Sequence, residues 1–224
     1  MVGLDAVAQP VRAPWPLRAA PPVASPCTVA TVARLEVRPV GPDQLHLLRS
    51  LFDSTRQTRH CWCTAFCSTR WQFARGWYGK GNQRRLETMA QTEPDPVGLI
   101  ALLADNPIGW CACGPRARYT VGSDVRSKLA AERELAGAAV VWHVACFFVR
   151  PDQQGGSVVV SMLREAISLA RNRGASAIEG WPLPLGHRSP AQAHVGREGI
   201  FARLGFEKIE QPAPGCVIMH LDLT

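Results

Sequence analysis

The sequence predicts a mixed α/β domain, and three observations carry that expectation. Residues 140–149, VVWHVACFFV, are almost wholly apolar and rich in β-branched and aromatic side chains, as in a strand buried on both faces. A polar turn follows. Val159, Met162, Leu163, Ala166, Ile167 and Ala170 then recur at helical spacing, with Gly174 where a C-terminal cap is expected. Upstream of this unit the strand patterns suit antiparallel pairing, whereas the strand–helix–strand run requires a crossover and a parallel pair.

Residues 1–33 are rich in Ala and Pro, and Pro10, Pro14, Pro16, Pro21, Pro22 and Pro26 interrupt any regular element, so they are expected to be a loosely draped extension. A single domain is expected over residues 34–224. Leu35 and Val37 alternate with charged residues as in a half-buried strand. Pro42-Asp43 opens a helix with Leu45, Leu48, Leu51 and Phe52 as its apolar stripe. Residues 60–78 are dense in Cys, Trp and Phe, and a second helix is expected over residues 82–92, stopped by Pro94 and Pro96. Residues 97–104 and 108–114 form a hairpin around Asp105-Asn106-Pro107. Residues 116–137 are polar, carry a short helical pattern, and are expected to be a mobile loop or lid. After the central unit come a strand at 177–181, a helix near 196–204 and two closing strands at 206–209 and 216–223.

The formal net charge is +7, which suits attraction of an anionic, multiply phosphorylated ligand. No dense Lys/Arg run argues for a nucleic-acid partner. No apolar stretch approaches the roughly 20 residues that span a bilayer, so no membrane association is expected. Eight cysteines at irregular spacing, without a secretion signal, are expected to be reduced thiols in a cytoplasmic protein. Cys61-x-Cys63-x3-Cys67 beside His60, with Cys111-x-Cys113, invites a zinc site. Structural zinc pairs usually have two or more residues between ligands, and buried Cys needs no metal, so none is expected.

The turn between central strand and helix carries the chemistry. Glycines let the backbone approach a ligand, and the first helical turn offers unpaired N–H groups to an anion, so a phosphate-bearing cofactor is expected at Gln154, Gly155, Gly156, Ser157, Val158 and Val159. For Gly155 the alternative is an ordinary turn glycine. Gln154-Gly155-Gly156-Ser157-Val158 stands where the GCN5-related N-acetyltransferases carry roughly R-G-x-G/A-[VI] after a central strand, and residues 35–223 resemble that family. Cys61-Trp62-Cys63, Pro107-Ile108-Gly109-Trp110-Cys111, Val141-Trp142, Cys146-Phe147-Phe148-Val149, Glu179-Gly180-Trp181-Pro182 and Gly205-Phe206 resemble one bacterial branch of it more closely. Gln154 replaces the usual Arg and Ser157 the second Gly; Ser still offers its backbone N–H.

The resemblance implies a mixed sheet of six to seven strands flanked by about four helices, with a V-shaped opening between the central parallel strands. It implies acetyl-CoA as co-substrate, its pantetheine arm paired with the backbone of Phe147, Phe148 and Val149. It implies an amine acceptor, either a small molecule or a protein lysine, attacked directly in a ternary complex by a monomer or homodimer. An amine with a pKa near 10.4 must lose a proton. Two side chains are candidates for that proton. His143 shares a pleat face with Val141, Ala145 and Phe147, its alternative being a core histidine. Glu179 faces the expected gap, its alternative being a carboxylate that orders the Trp181-Pro182 loop or receives an arginine. Where the family often has an acidic Tyr before a Gly-Phe pair, this chain has Phe201. By analogy of position, residues 60–78 with Trp62, Trp71 and Trp77 form a wall of the acceptor pocket or part of an aromatic core. A non-catalytic acyl-CoA-binding domain is the alternative function.

Overall fold

In a computed structural model, residues 34–56, 58–122, 125–136, 139–154, 156–187 and 190–224 are described. The expected extension at 1–33 and the expected role of Gly155 lie outside these residues. Seven strands form one sheet in the order β1-β2-β3-β4-β5-β7-β6. They are β1 (Leu35–Pro39), β2 (Leu99–Leu103), β3 (Asn106–Pro115), β4 (Val141–Val149), β5 (Ala177–Gly180), β6 (Glu207–Ala213) and β7 (Cys216–Asp222). All neighbours pair antiparallel except β4 and β5. Ala104 and Asp105, both at positive φ, make the two-residue turn between β2 and β3, so strand geometry resumes at Asn106.

Among the described residues six helices accompany the sheet: α1 (Leu45–Asp53), α2 (Arg70–Gly76), α3 (Gly81–Thr92), α4 (Val125–Ala136), α5 (Gly156–Asn172) and α6 (Glu198–Ala202). That is two more than expected. α2 arises inside the Cys/Trp-rich stretch, where Thr69 and Gln72 form a capping box. α4 arises inside the stretch expected to be a mobile loop. It is docked by buried polar groups: Arg126 donates to the carbonyls of Trp181 (3.0 Å) and Gly215 (2.8 Å). Its apolar contribution is small, Ala130 and half-buried Leu129 against Trp181, Cys216 and Ile218, so the segment reads as mostly polar.

α5 covers one face of the sheet with Val158, Met162, Leu163, Ala166, Leu169 and Ala170, packed on Leu99, Ala101, Cys111, Trp142, Val144 and Phe147. Val159 and Ile167, expected in this stripe, are only half-buried, so the helix is turned slightly toward Val158 and Leu169. Gly174 caps the helix at positive φ while Ala175 N–H bonds back to the Ala170 carbonyl. At Gly109 on β3 a Cβ would lie 3.2 Å from Val158, so glycine there lets α5 approach closely. The opposite face packs Leu45, Leu48, Leu51 and Phe52 of α1 with Trp62, Leu86, Ile100 and Trp110.

Candidate active site

β4 is irregular at its centre. Ala112 pairs with Cys146 but Cys113 pairs with Val144, so Ala145 is an extra residue, a β-bulge. Strict alternation would put His143 and Phe147 on one face. The bulge reverses the alternation beyond Val144: Val144 and Phe147 join the α5 face, while Ala145, Cys146 and Phe148 join the α1 face. The expected common face of His143, Ala145 and Phe147 is thereby corrected: His143 and Phe147 point to opposite sides.

The parallel pairing of β4 with β5 runs from Val141–Ala177 to Val144–Gly180 and ends there. Beyond it β4 continues through Phe147, Phe148 and Val149, paired to β3 on its other edge. The chain after β5 leaves this direction: Pro182 accepts from Val217 N–H, and Leu183 exchanges backbone bonds with Gly196 and Glu198. The strands thus part just past the bulge. Phe201 of α6 sits at the parting, fully buried, with its ring 6.2 Å from Phe147 and 5.1 Å from Phe206. A Cβ on Gly180 would overlap the Phe201 ring. Gly180→Ala is therefore expected to destabilise the domain by about 1–3 kcal/mol, read as a lower melting temperature that Phe201→Leu in the same chain partly restores.

From Val149 the chain reaches α5 through a 3-10 turn, Pro151–Gln153. Arg150 N–H bonds to the Ile108 carbonyl at 2.8 Å, and its guanidinium pairs with Asp152, also at 2.8 Å. Gln154, Gly156 and Ser157 are exposed; Val158 is buried and Val159 half-buried. A Cβ at Gly156 would meet nothing within 4 Å. The first turn of this 17-residue helix therefore opens onto solvent at the end of β4, with its leading N–H groups facing outward along the axis.

The two proton-acceptor candidates are neighbours in the sheet. His143, Glu179 and His220 are partners across β4, β5 and β7, forming a row on the face away from α5. Glu179 is completely buried, and its carboxylate accepts from Arg133 (2.6 Å), Arg116 (3.4 Å) and the Trp181 indole N–H (3.3 Å), with His220 Nδ1 at 3.3 Å. Burial raises the carboxyl pKa, but the Arg133 hydrogen bond and the charges of Arg133, Arg116 and the nearby His143 outweigh it, holding the group below its ordinary 4.5. Arg116 is itself buried and also bonds Glu134 at 2.9 Å. His143, 3% exposed, lies between Tyr119 and Trp181, ring centroids 5.4 and 4.7 Å away.

The structure thus joins the open β4 edge to the α5 N-terminus, and joins His143 to Glu179. Arg116, Arg133 and His220 were missed because their partners lie 63, 46 and 41 residues away in sequence. Their nearest sequence signal is the seven-residue spacing of Arg126 and Arg133, which share a helix face. Of the three tryptophans proposed for an acceptor wall, Trp62 is core, edge-on to Phe52 at 5.1 Å, whereas Trp71 and Trp77 are exposed. Cys63 and Cys146 approach to 3.4 Å between sulfurs, and among the described residues no three His, Cys, Asp or Glu side chains converge as a metal site.

No family model matches the sequence, and no curated protein does. Among solved structures, an agmatine N-acetyltransferase matches over 84% of this chain and 99% of its own, with 13% identity and a TM-score of 0.51. The chain has the GCN5-related N-acetyltransferase fold. Two further structures overlay at lower scores. They are an arylalkylamine N-acetyltransferase-like protein of mosquito (17% identity, 84% and 98% covered, TM-score 0.49) and the PaiA N-acetyltransferase of Thermoplasma acidophilum in complex with coenzyme A (14%, 84% and 99%, 0.48). No described helix is long and apolar enough to cross a membrane.

Proposed function

We propose that the protein is an acetyl-CoA-dependent N-acetyltransferase that transfers acetyl to a primary amine by direct attack in a ternary complex. The observation that supports this most is the exposed first turn of α5 set at the end of a β4 edge that β5 has left. Main-chain N–H groups of Gly156, Ser157, Val158 and Val159 hold the pyrophosphate of coenzyme A in this reading. Main-chain groups of Phe147, Phe148 and Val149 on the edge released by β5 align the pantetheine arm, which brings the thioester to the parting beside Phe201.

Glu179 serves as an anchor rather than a base here. A carboxylate held by two guanidiniums and kept below its ordinary pKa is a poor proton acceptor at neutral pH. His143, one residue before the parting, keeps the role of proton acceptor. His143→Gln is expected to flatten the acidic limb of the kcat/KM profile, since a base works only when deprotonated. An unchanged acidic limb would remove His143 from the mechanism.

Phe201 favours a second reading. It is buried where the resemblance places an acidic Tyr, and its ring carries no proton to donate to a departing thiolate. A non-catalytic acyl-CoA-binding domain would tolerate that. Incubation with acetyl-CoA and a panel of amines separates the two: release of free thiol supports the enzyme, and binding without release supports the second reading.

A further inference from the structure

Residues 54–86 contain six arginines and Lys80 but no Asp or Glu, a formal +7. The whole chain also carries +7, so 18 basic and 18 acidic residues balance elsewhere. The excess positive charge of the molecule is thus confined to one segment. No dense Lys/Arg run marks it, because its cations are spread along the sequence. Folding gathers them. α2 and α3 cross at their joined ends, where a Cβ on Gly81, the first residue of α3, would lie 2.7 Å from the Cα of Gly76, the last of α2. Buried Asn82 fastens the crossing, donating to the carbonyls of His60 (2.8 Å) and Phe73 (3.2 Å).

This crossing builds a cleft of about 260 Å³ lined by Gln72, Arg75, Tyr78, Arg84 and Arg85 with the backbone of Gly76 and Gly81. Large rings stand exposed along the same stretch: Trp71 is 80% and Tyr78 79% exposed, and Trp77 stacks on His60 at 5.3 Å. Glu87, the next acid in the chain, is engaged by Arg49 at 2.6 Å. Cations without a competing carboxylate, interleaved with exposed flat rings on a rigid glycine-lined crossing, match one kind of partner. Its backbone must be anionic and its side groups must stack.

We propose that the α2–α3 face binds single-stranded nucleic acid, with Arg75, Lys80, Arg84 and Arg85 on phosphates and Tyr78 and Trp71 stacking on bases. An acidic peptide would satisfy the charge but leave the rings in water. This surface is independent of the acyl-transfer reading and stands or falls without it.

The test uses the full chain and a fluorescein-labelled oligodeoxythymidine of about 12 nucleotides, followed by anisotropy. A Kd of about 10⁻⁶–10⁻⁴ M is expected at low salt, weakening between about 50 and 200 mM salt. Tyr78→Ala is expected to weaken binding roughly tenfold at an unchanged melting temperature. Arg75→Ala is expected to shrink the salt slope by about one. Absence of binding at the lowest salt overturns the proposal. So does binding that Tyr78→Ala leaves unaltered, which would mark a charged surface only. Sedimentation with phosphatidylserine vesicles without oligonucleotide binding would assign the face to a membrane surface instead, and overturns it too.

Discussion

Gly156→Glu is expected to abolish coenzyme A binding while leaving the domain folded, or slightly more stable. The two effects have opposite signs because they come from the same N–H groups. Nothing lies within 4 Å of the position a Cβ would take, so the side chain enters without a clash. A carboxylate in the first turn interacts favourably with the helix dipole by about 0.3–1 kcal/mol, and replacing glycine adds helix propensity. The melting temperature should therefore hold or rise by a few degrees. The same carboxylate stands where the diphosphate must sit. Charges about 4 Å apart at an effective dielectric near 20 repel by about 4 kcal/mol, which corresponds to a loss of several hundredfold or more in affinity. Titration calorimetry with coenzyme A, beside a thermal melt, reads both. Undiminished affinity would place the phosphates elsewhere and take the proposed enzyme with it.

The second large effect is on stability. Glu179→Ala is expected to cost about 3–5 kcal/mol, the usual penalty for stranding a buried charge. Here the group most affected is Arg116, with a side chain only 4% exposed; it keeps Glu134 at 2.9 Å, which places the cost at the lower end of that range. Set against the 5–15 kcal/mol that typically holds a domain together, this is a large fraction. Arg133 is more exposed, at 28%, and retains Glu210 at 3.8 Å, so it suffers less. The loss should appear as a melting point lower by roughly 10 °C.

The pH dependence follows in sign. The Glu179 carboxyl is held below its ordinary 4.5 in the folded chain, so the unfolded chain takes up its proton first as pH falls. The stability it contributes is complete above about pH 4.5 and disappears as pH drops through the folded value. Glu179→Gln should flatten that portion of a urea-midpoint profile. It should also leave turnover per folded molecule largely intact, because in this arrangement the carboxylate fastens α4 to the sheet. Turnover lost from a well-folded Glu179→Gln protein would return the residue to the role of base.

How far the chain could be read in advance depended on the range of the interactions. The β4–turn–α5 unit, the existence of the β2–β3 hairpin (its turn expected at Asp105-Asn106-Pro107 and found at Ala104-Asp105), the α1 stripe and the Gly174 cap are each decided within a few residues, by side-chain period or by backbone conformation. All of them were legible. The bulge at Ala145 was not, because alternation is counted on the assumption that no residue is inserted, and only the register against Ala112 and Cys113 exposes the extra one. Residues 116–137 read as a mobile loop or lid because, beside the small Ala130, the buried groups of α4 are Arg126 and Ser127, polar residues that read as solvent-facing until their partners are known.

The amino-acid order alone therefore settled the α/β class and the strand–turn–helix at residues 140–173, and it raised the expectation, here a proposal, that an anion meets the turn's glycines. Local backbone chemistry is enough for those. Folding settled which faces His143 and Phe147 take, that Glu179 is shared by Arg133 and Arg116, and that scattered arginines meet at the α2–α3 crossing. Each of these is a contact between residues remote in sequence, and such contacts exist only once the sheet has set its register.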